Sequence, residues 1–215
     1  SIELEYLRTS LIPSLLSNIK NNQGRQDNMM LFEISKIFLR QTADLPKETT
    51  KLTIMTNTNY FDLKGIVEAL LSELNITEVK FIGGNSDLLA EKKQTQIMIK
   101  TKNVGILGLV DNNIRRNFGL SQQVYVAELN LLDIIQESKK LPEYKKPASY
   151  STVKLDLTVK NISYEDFKTK AFATSEILRD IKVLDKYKDN ITFRLFFSSY
   201  TKNLTEKEAL KDLEK

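Results

Sequence analysis

The clearest pattern of hydrophobic and polar positions lies in the last third of the chain. In residues 153–160, Val and Leu alternate with Lys, Asp and Thr, which predicts a half-buried β-strand. Residues 191–197 alternate in the same way, with Thr192, Arg194 and Phe196 on the more polar face. Residues 181–188 are a further strand candidate, and Asp189-Asn190 is predicted to be the turn that follows it.

Two capping signals predict the helices of the same region. Ser163 with Asp166 begins a helix over about residues 164–178, and Thr205 with Glu208 begins the final helix. The resulting order β-α-β-β-α is that of a ferredoxin-like split βαβ unit that lacks its last strand.

The preceding residues alternate less regularly between short apolar runs and helical spacing. Helices are predicted from about Ser10, with Pro13 in the first turn, and over residues 61–75, with Phe61 on the apolar face. Gly105 and Gly108 lie inside a strand pattern, which favours close backbone packing. The remaining predictions are a buried strand at 29–39, further strands at 51–57 and 79–84, a hairpin over 94–111 that turns at Lys102-Asn103, and a strand that runs into a helix over 124–138.

A proline-containing segment divides the chain. Residues 141–149 include Pro142 and Pro147, which favour an extended linker. We therefore expect two domains, 1–143 and 144–215. The fold class is α+β, with a mixed or antiparallel sheet in the first domain and the truncated ferredoxin-like unit in the second.

Composition excludes several kinds of chemistry. The chain has no Cys and no His, which excludes disulfides, thiolate or imidazole metal sites and histidine-dependent catalysis. The net charge is +4, and the whole excess lies in residues 144–215, which is compatible with a nucleic-acid surface or with a Lys-rich composition. No apolar run is long enough to span a bilayer, so we expect a cytoplasmic protein. A start at Ser1 suggests a piece of a longer chain.

Several segments, in this order, carry a resemblance to a known family. The chain resembles the C-terminal part of the bacterial phenylalanyl-tRNA synthetase beta subunit, including its ferredoxin-like anticodon-binding domain. The segments are LEYLRTSLIPSLL, LFEISKIF, FDLKGIVEALL, VGILGLVDNNIRRNFGL, VYVAELNL and, in the tail, STVKLDLTV, KVLDKYKDNITFRLFF and NLTEKEAL.

The resemblance implies a division of labour between two subunits. Residues 1–143 correspond to a catalytically silent class II synthetase-like core that scaffolds the catalytic alpha subunit, in a heterotetramer whose alpha subunit binds ATP, Mg²⁺ and phenylalanine. Class II sites hold phosphates with arginines, but Glu33 and Lys36 occupy the relevant strand here, with Arg40 only at its end. We therefore expect no catalytic and no metal-binding residue, and we interpret Arg115 and Arg116 as solvated surface.

The tail carries the candidate binding site. By resemblance, Asp185 and Tyr187 lie on one strand face, where an aromatic ring stacks on an anticodon base and a carboxylate accepts hydrogen bonds from guanine. The expected partner is the phenylalanine tRNA, with neither DNA nor a membrane. Five further residues complete the predicted tRNA site: Thr158 and Asn190 as neighbouring contacts, and Lys154, Lys160 and Arg194 as phosphate contacts.

Alternatives remain open at this point. The tail is either an anticodon site or an ordinary solvated sheet face with a rim tyrosine. The chain is either part of the ligase, a stand-alone RNA-binding module, or an independent enzyme with an unrecognised pocket. The apolar helix over residues 10–20 packs either inside the chain or on the alpha subunit. Arg8 and Glu33 are candidates for a structural ion pair.

Overall fold

The computed structural model describes residues 6–42, 45–139, 146–147 and 150–213. The chain forms two compact units, residues 1–142 and 143–215, and each is described by itself. Most of the predicted linker, at 141–145 and 148–149, lies outside the described residues. No helix in the described part is both long and apolar enough to cross a bilayer.

The first unit is built on one antiparallel sheet with the strand order β1-β2-β6-β5-β4-β3. This confirms the antiparallel branch of the sheet prediction. Its elements are α1 (Ile12–Asn22), β1 (Met30–Leu39), β2 (Lys47–Thr56), α2 (Tyr60–Glu73), β3 (Val79–Gly83), β4 (Leu89–Ile99), β5 (Lys102–Val110), α3 (Asn112–Asn117), β6 (Tyr125–Asn130) and α4 (Leu131–Glu137).

Helices cover both faces of this sheet. On one face, α2 buries Leu63, Val67 and Leu71 against the sheet, and α4 adds Ile134 to the same core. On the other face, α1 buries its apolar side, with α3 at the edge of the same cluster. The apolar side of α1 is therefore internal, which decides between the two readings of residues 10–20 in favour of the chain's own core.

Three details of the first unit differ from the predictions. Strand β1 is an edge strand rather than a buried one, because it pairs only with β2 within the described sheet. Phe61 points into solvent, since it lies in the first turn of α2 beyond the part that packs on the sheet. The β4–β5 hairpin turns at Lys100-Thr101 rather than Lys102-Asn103, and Lys100 adopts a positive φ of 54° there.

The second unit is a three-stranded antiparallel sheet with two helices on one face. Its elements are β7 (Val153–Lys160), α5 (Tyr164–Thr174), β8 (Leu178–Tyr187), β9 (Asn190–Phe197) and α6 (Glu206–Leu213), and the strand order is β7-β9-β8. Phe193 is at the centre of the core, and the Phe167 ring of α5 stacks on it at 4.2 Å between centroids. All five predicted elements are confirmed, although α5 ends four residues earlier than expected.

The predicted capping signals are present at both helices. The Ser163 hydroxyl accepts a hydrogen bond from the Asp166 N–H at 3.1 Å. At α6, the Thr205 hydroxyl accepts from the Glu208 N–H, and the Glu208 carboxylate accepts from the Thr205 N–H at 2.9 Å. Hydrogen bonds from the Lys202 ammonium group and from the backbone N–H and hydroxyl of Thr205 lower the pKa of Glu208 to about 2.

The two strand glycines of β5 allow close backbone approach, as predicted. A Cβ at Gly105 would lie 2.5 Å from the Glu128 carbonyl oxygen, and one at Gly108 would lie 2.6 Å from the Lys93 carbonyl oxygen. Both neighbours are backbone atoms in paired strands, so they have little freedom to move aside.

We expect Gly105→Ala to lower the free energy of unfolding by about 1–3 kcal/mol, because the added methyl group collides with fixed backbone. Gly65→Ala is the matched control, since Gly65 lies in α2 with nothing within 4 Å of the added atom. That change should raise stability by about 1 kcal/mol through helix propensity. Urea unfolding followed by circular dichroism measures both, and an unchanged midpoint for Gly105→Ala would contradict the close-packing argument.

Candidate nucleic-acid interface

The sheet of the second unit has one face without helices, and all seven predicted site residues lie on it. Helices α5 and α6 cover only the face that carries Phe193, Leu195 and Phe197. Directly opposite residues in an antiparallel pair share a face, so the pairing register assigns each side chain. The open face carries Lys154, Asp156, Thr158 and Lys160 from β7; Asn190, Thr192, Arg194 and Phe196 from β9; and Asp180, Lys182, Asp185 and Tyr187 from β8.

The rim row of this face contains the predicted aromatic contact. Tyr187 pairs with Asn190, and Asn190 pairs with Lys160 on the other side. Asn190 is therefore the first residue of β9 and not a turn residue; the two-residue turn is Lys188-Asp189, with Lys188 at a φ of 53°. The Tyr187 ring is 66% exposed, with the Lys188 ammonium group 5.4 Å from its centroid.

The next row places the predicted carboxylate beside two hydroxyl groups. Asp185 pairs with Thr192, which pairs with Thr158, and the two threonine hydroxyls lie 2.9 Å apart. The Asp185 Oδ1 accepts a hydrogen bond from the Lys186 N–H at 2.8 Å, which fixes the orientation of this exposed carboxylate. The row therefore presents hydrogen-bonding groups next to the Tyr187 ring.

The third row is dominated by an ion pair. Arg194 donates from Nε and Nη2 to the two carboxylate oxygens of Asp156, both at 2.8 Å. The hydrogen bonds from Arg194 lower the pKa of Asp156, and Asp156 in turn raises the pKa of Arg194. Because this bidentate pair is neutral as a unit, Arg194 contributes less free positive charge than its place in the sequence suggests.

The predicted site did not include Phe196, which lies in the fourth row, or Lys182, which pairs with Arg194 in the third. Phe196 pairs with Lys154 and with Asp180, and the Lys154 and Lys182 ammonium groups lie 5.9 Å and 5.4 Å from the Phe196 ring centroid. In a regular strand, Lys182 would lie on the face opposite to Asp185, because the two residues are three positions apart. A register shift between Val183 and Asp185 returns it to the open face.

In the described part of the first unit, several cationic side chains are held by acidic or backbone partners. Arg8 pairs with Glu33 of β1 at 2.8 Å, which confirms the suggested structural pair. Lys36 pairs with Glu48 at 2.6 Å. Arg115 donates to the Ser121 and Gln122 carbonyl oxygens, so it fastens a loop rather than lying in solvent as predicted.

A buried acidic side chain lies in the sheet of the same unit. Glu128 of β6 is 6% exposed, and its Oε1 accepts hydrogen bonds from the Ser10 hydroxyl, the Leu11 N–H and the Thr53 hydroxyl. These hydrogen bonds join the start of α1 to strands β2 and β6. Across the described ranges, no group of three or more acidic side chains is placed to hold a metal ion.

A second exposed surface lies on β1. Met30, Phe32 and Ile34 point to the face on which α2 and α4 pack, yet they are not covered, and Phe32 is 72% exposed. Leu132 and Ile135 of α4, which packs on the same face of the sheet, are also exposed. We call Met30, Phe32 and Ile34 the β1 apolar strip; a row of large exposed apolar side chains is typical of a protein–protein contact.

Comparison with known proteins gives one consistent family. The family model described as the phenylalanyl tRNA synthetase beta chain CLM domain matches residues 1–131. Similar curated proteins are named phenylalanine–tRNA ligase beta subunit. The one from Carboxydothermus hydrogenoformans is 30% identical over 97% of this chain and 29% of its own length. Those from Protochlamydia amoebophila and Bacillus subtilis are 28% and 25% identical, over 96% and 98% of this chain and 29% and 30% of their own lengths. The chain thus spans less than a third of these relatives.

Solved structures support the fold. Two structures of pyrrolysyl-tRNA synthetase from Desulfitobacterium hafniense align with TM-scores of 0.51 and 0.50 at 14% identity. They cover 62% and 60% of this chain and 54% and 48% of the synthetase chains. At this identity the likeness establishes the fold alone, which is class II synthetase-like, as the sequence predicted.

Proposed function

Because the chain belongs to the phenylalanyl-tRNA synthetase beta chain family, we propose that it is a part of that subunit with two roles. The first unit scaffolds the catalytic alpha subunit, and the second binds the anticodon region of the phenylalanine tRNA. The observation that best supports tRNA binding is the open sheet face, which brings Tyr187, Asp185 and several cationic side chains together on one surface.

Each role belongs to one unit. We assign residues 1–143 to a non-catalytic class II synthetase-like core and residues 144–215 to a ferredoxin-like anticodon-binding domain. The strand order β7-β9-β8, with α5 and α6 on a single face, supports this assignment, because it matches the first five elements of a split βαβ unit. Such a sheet leaves its other face free for a ligand.

Anticodon recognition follows from the chemistry of the two rim rows. An exposed tyrosine ring offers a flat surface on which an unstacked base stacks. The Asp185 carboxylate, two residues away on the same face, accepts hydrogen bonds and so favours a guanine edge. Thr158 and Asn190 flank these two residues, and Lys160 supplies a cation at the rim. The phenylalanine anticodon begins with G, which suits this pair.

We expect Tyr187→Ala to weaken binding of the phenylalanine anticodon stem-loop by about 1–3 kcal/mol, because the stack is lost. Tyr187→Phe keeps the ring and should bind nearly as well as the wild type. Asp185→Ala should in addition reduce the preference for G over A at the first anticodon base. Fluorescence titration of the 215-residue chain with stem-loops that carry G or A at this base measures the effect. Equal affinities of the wild type for both stem-loops would contradict base recognition and favour an ordinary solvated sheet face.

Scaffolding of the alpha subunit is best assigned to the β1 apolar strip. The apolar sides of α1 and α2 are buried in the chain's own core, so they do not supply the contact. The strip instead continues the sheet face beyond the helices and exposes three large side chains in a row. Burial of such a row against a partner is favourable and depends weakly on salt.

We expect Phe32→Thr to weaken association with the alpha subunit by about tenfold, since a buried aromatic side chain contributes about 1.5–3 kcal/mol. Phe172→Ser is the matched control, because Phe172 is an exposed phenylalanine of the second unit. Sedimentation of the mixed subunits at low and high salt gives both affinities. Dissociation by salt with no effect of Phe32→Thr would point to an ionic contact elsewhere, and no association at all would favour a stand-alone RNA-binding module.

We further propose that this chain is catalytically silent and that ATP and Mg²⁺ act on the alpha subunit of the holoenzyme. The paired state of Arg8 and Lys36 and the buried Glu128 carboxylate support this proposal. The pure chain should give no phenylalanine-dependent ATP–pyrophosphate exchange, whereas the reconstituted holoenzyme should. Phenylalanine-dependent exchange by the pure chain would contradict this proposal and favour an independent enzyme.

A further inference from the structure

We propose that Lys154 and Lys182, held over the ring of Phe196, form a two-point clamp for a phosphate of the bound RNA strand. The proposal rests on the RNA-binding function assigned above and extends it to a second place on the same sheet face. We call these three residues the Phe196 clamp.

Two register shifts in β8 build the clamp. The irregularities between Leu178 and Asp180 and between Val183 and Asp185 each insert one residue. Between them, Lys182 pairs with Arg194 and therefore faces outward, while Val183 and Ile181 pair with Phe193 and Leu195 on the buried face. Lys182 thus reaches the ring from β8, and Lys154 reaches it from β7.

The two lysines differ from Arg194 in their charge partners. Arg194 is bound by both oxygens of Asp156, whereas neither Lys154 nor Lys182 makes an ion pair with any residue that the structure describes. Asp180 is the acidic neighbour in this row, and its Oδ1 is engaged by the Ile181 N–H at 2.9 Å. Two like charges therefore converge on one ring, an arrangement that an anion between them stabilises.

A phosphate is a better ligand for this place than a base. The Phe196 ring is only partly exposed and both ammonium groups approach it, so a base has no free flat surface to stack on. The ring instead supports the lysine stems and restricts their rotamers, which lowers the entropy cost of holding a phosphate. Ammonium groups are common phosphate ligands.

The position of the clamp indicates which part of the RNA it contacts. Phe196 is six positions along β9 from Asn190, the partner of Tyr187, which corresponds to about 20 Å at ~3.3 Å per residue. A base at Tyr187 and a phosphate at the clamp therefore belong to well-separated nucleotides. Contacts to the backbone at that distance orient the RNA without reading its sequence.

The test measures stem-loop binding by fluorescence anisotropy over a series of salt concentrations. The ligands are the phenylalanine anticodon stem-loop and the same RNA with A as the first anticodon base. Lys154→Ala and Lys182→Ala should each weaken both complexes alike, by about threefold, and each should reduce the slope of log affinity against log salt by about 1. Lys182→Arg should restore the slope. Phe196→Leu should weaken both complexes and leave the slope unchanged, because the charges remain.

Two controls carry the same kind of change elsewhere in the second unit. Lys168→Ala removes a lysine that lies 5.6 Å from the Tyr164 ring on α5, the helix side of the sheet, and should leave the slope unchanged. Lys207→Ala removes an exposed lysine of α6, on the same helix side, and should also leave the slope unchanged.

The outcomes separate the clamp from anticodon recognition. If Tyr187→Ala weakens binding while Lys182→Ala changes neither affinity nor slope, the clamp is wrong and anticodon recognition stands. If the lysine variants act and Tyr187→Ala and Asp185→Ala do not, the clamp stands and anticodon recognition is wrong. An equal slope change for Lys168→Ala, or no RNA binding by the wild type at low salt, overturns the clamp.

Discussion

The constraint on which this structure depends is that an antiparallel sheet has two faces, and each must be covered or polar. In the first unit, α1 with α3 and α2 with α4 cover the two faces, and the β1 apolar strip is left without cover. In the second unit both helices pack on the same face, so the other face is polar across all three strands. The two uncovered surfaces are the ones to which we assign partners, and they differ in chemistry: one is apolar and the other is polar.

Charge pairing separates the two units as clearly as burial does. The first unit matches Arg8 with Glu33, Lys36 with Glu48 and Lys100 with Glu137. Such exposed pairs contribute little stability each, but they cancel the local field that an anionic ligand would meet. Among the described residues of the open face, Arg194 is matched in this way by Asp156, whereas Lys154 and Lys182 make no ion pair.

The buried Glu128 side chain links helix α1 to the sheet of the first unit. Its three donors come from Ser10, Leu11 and Thr53, so the carboxylate ties the start of α1 to the centre of the sheet. Removing one partner of such a buried network costs more than the hydrogen bond contributes, which favours its retention as structure.

The sequence by itself determined the elements whose signals are local. Alternation identified β7 and β9, the capping residues identified the starts of α5 and α6, and the glycines of β5 indicated close packing. The face shared by Asp185 and Tyr187 also followed from simple alternation. Only the tertiary structure decided that β1 lies at an edge, that Arg194 is held by Asp156, and that Lys182 faces outward. The edge position of β1 and the ion pair of Arg194 depend on which strand lies alongside. A bulge changes the face to which the following side chains point, and it depends on the register with the partner strand. Alternation within a single strand therefore predicts none of these three features.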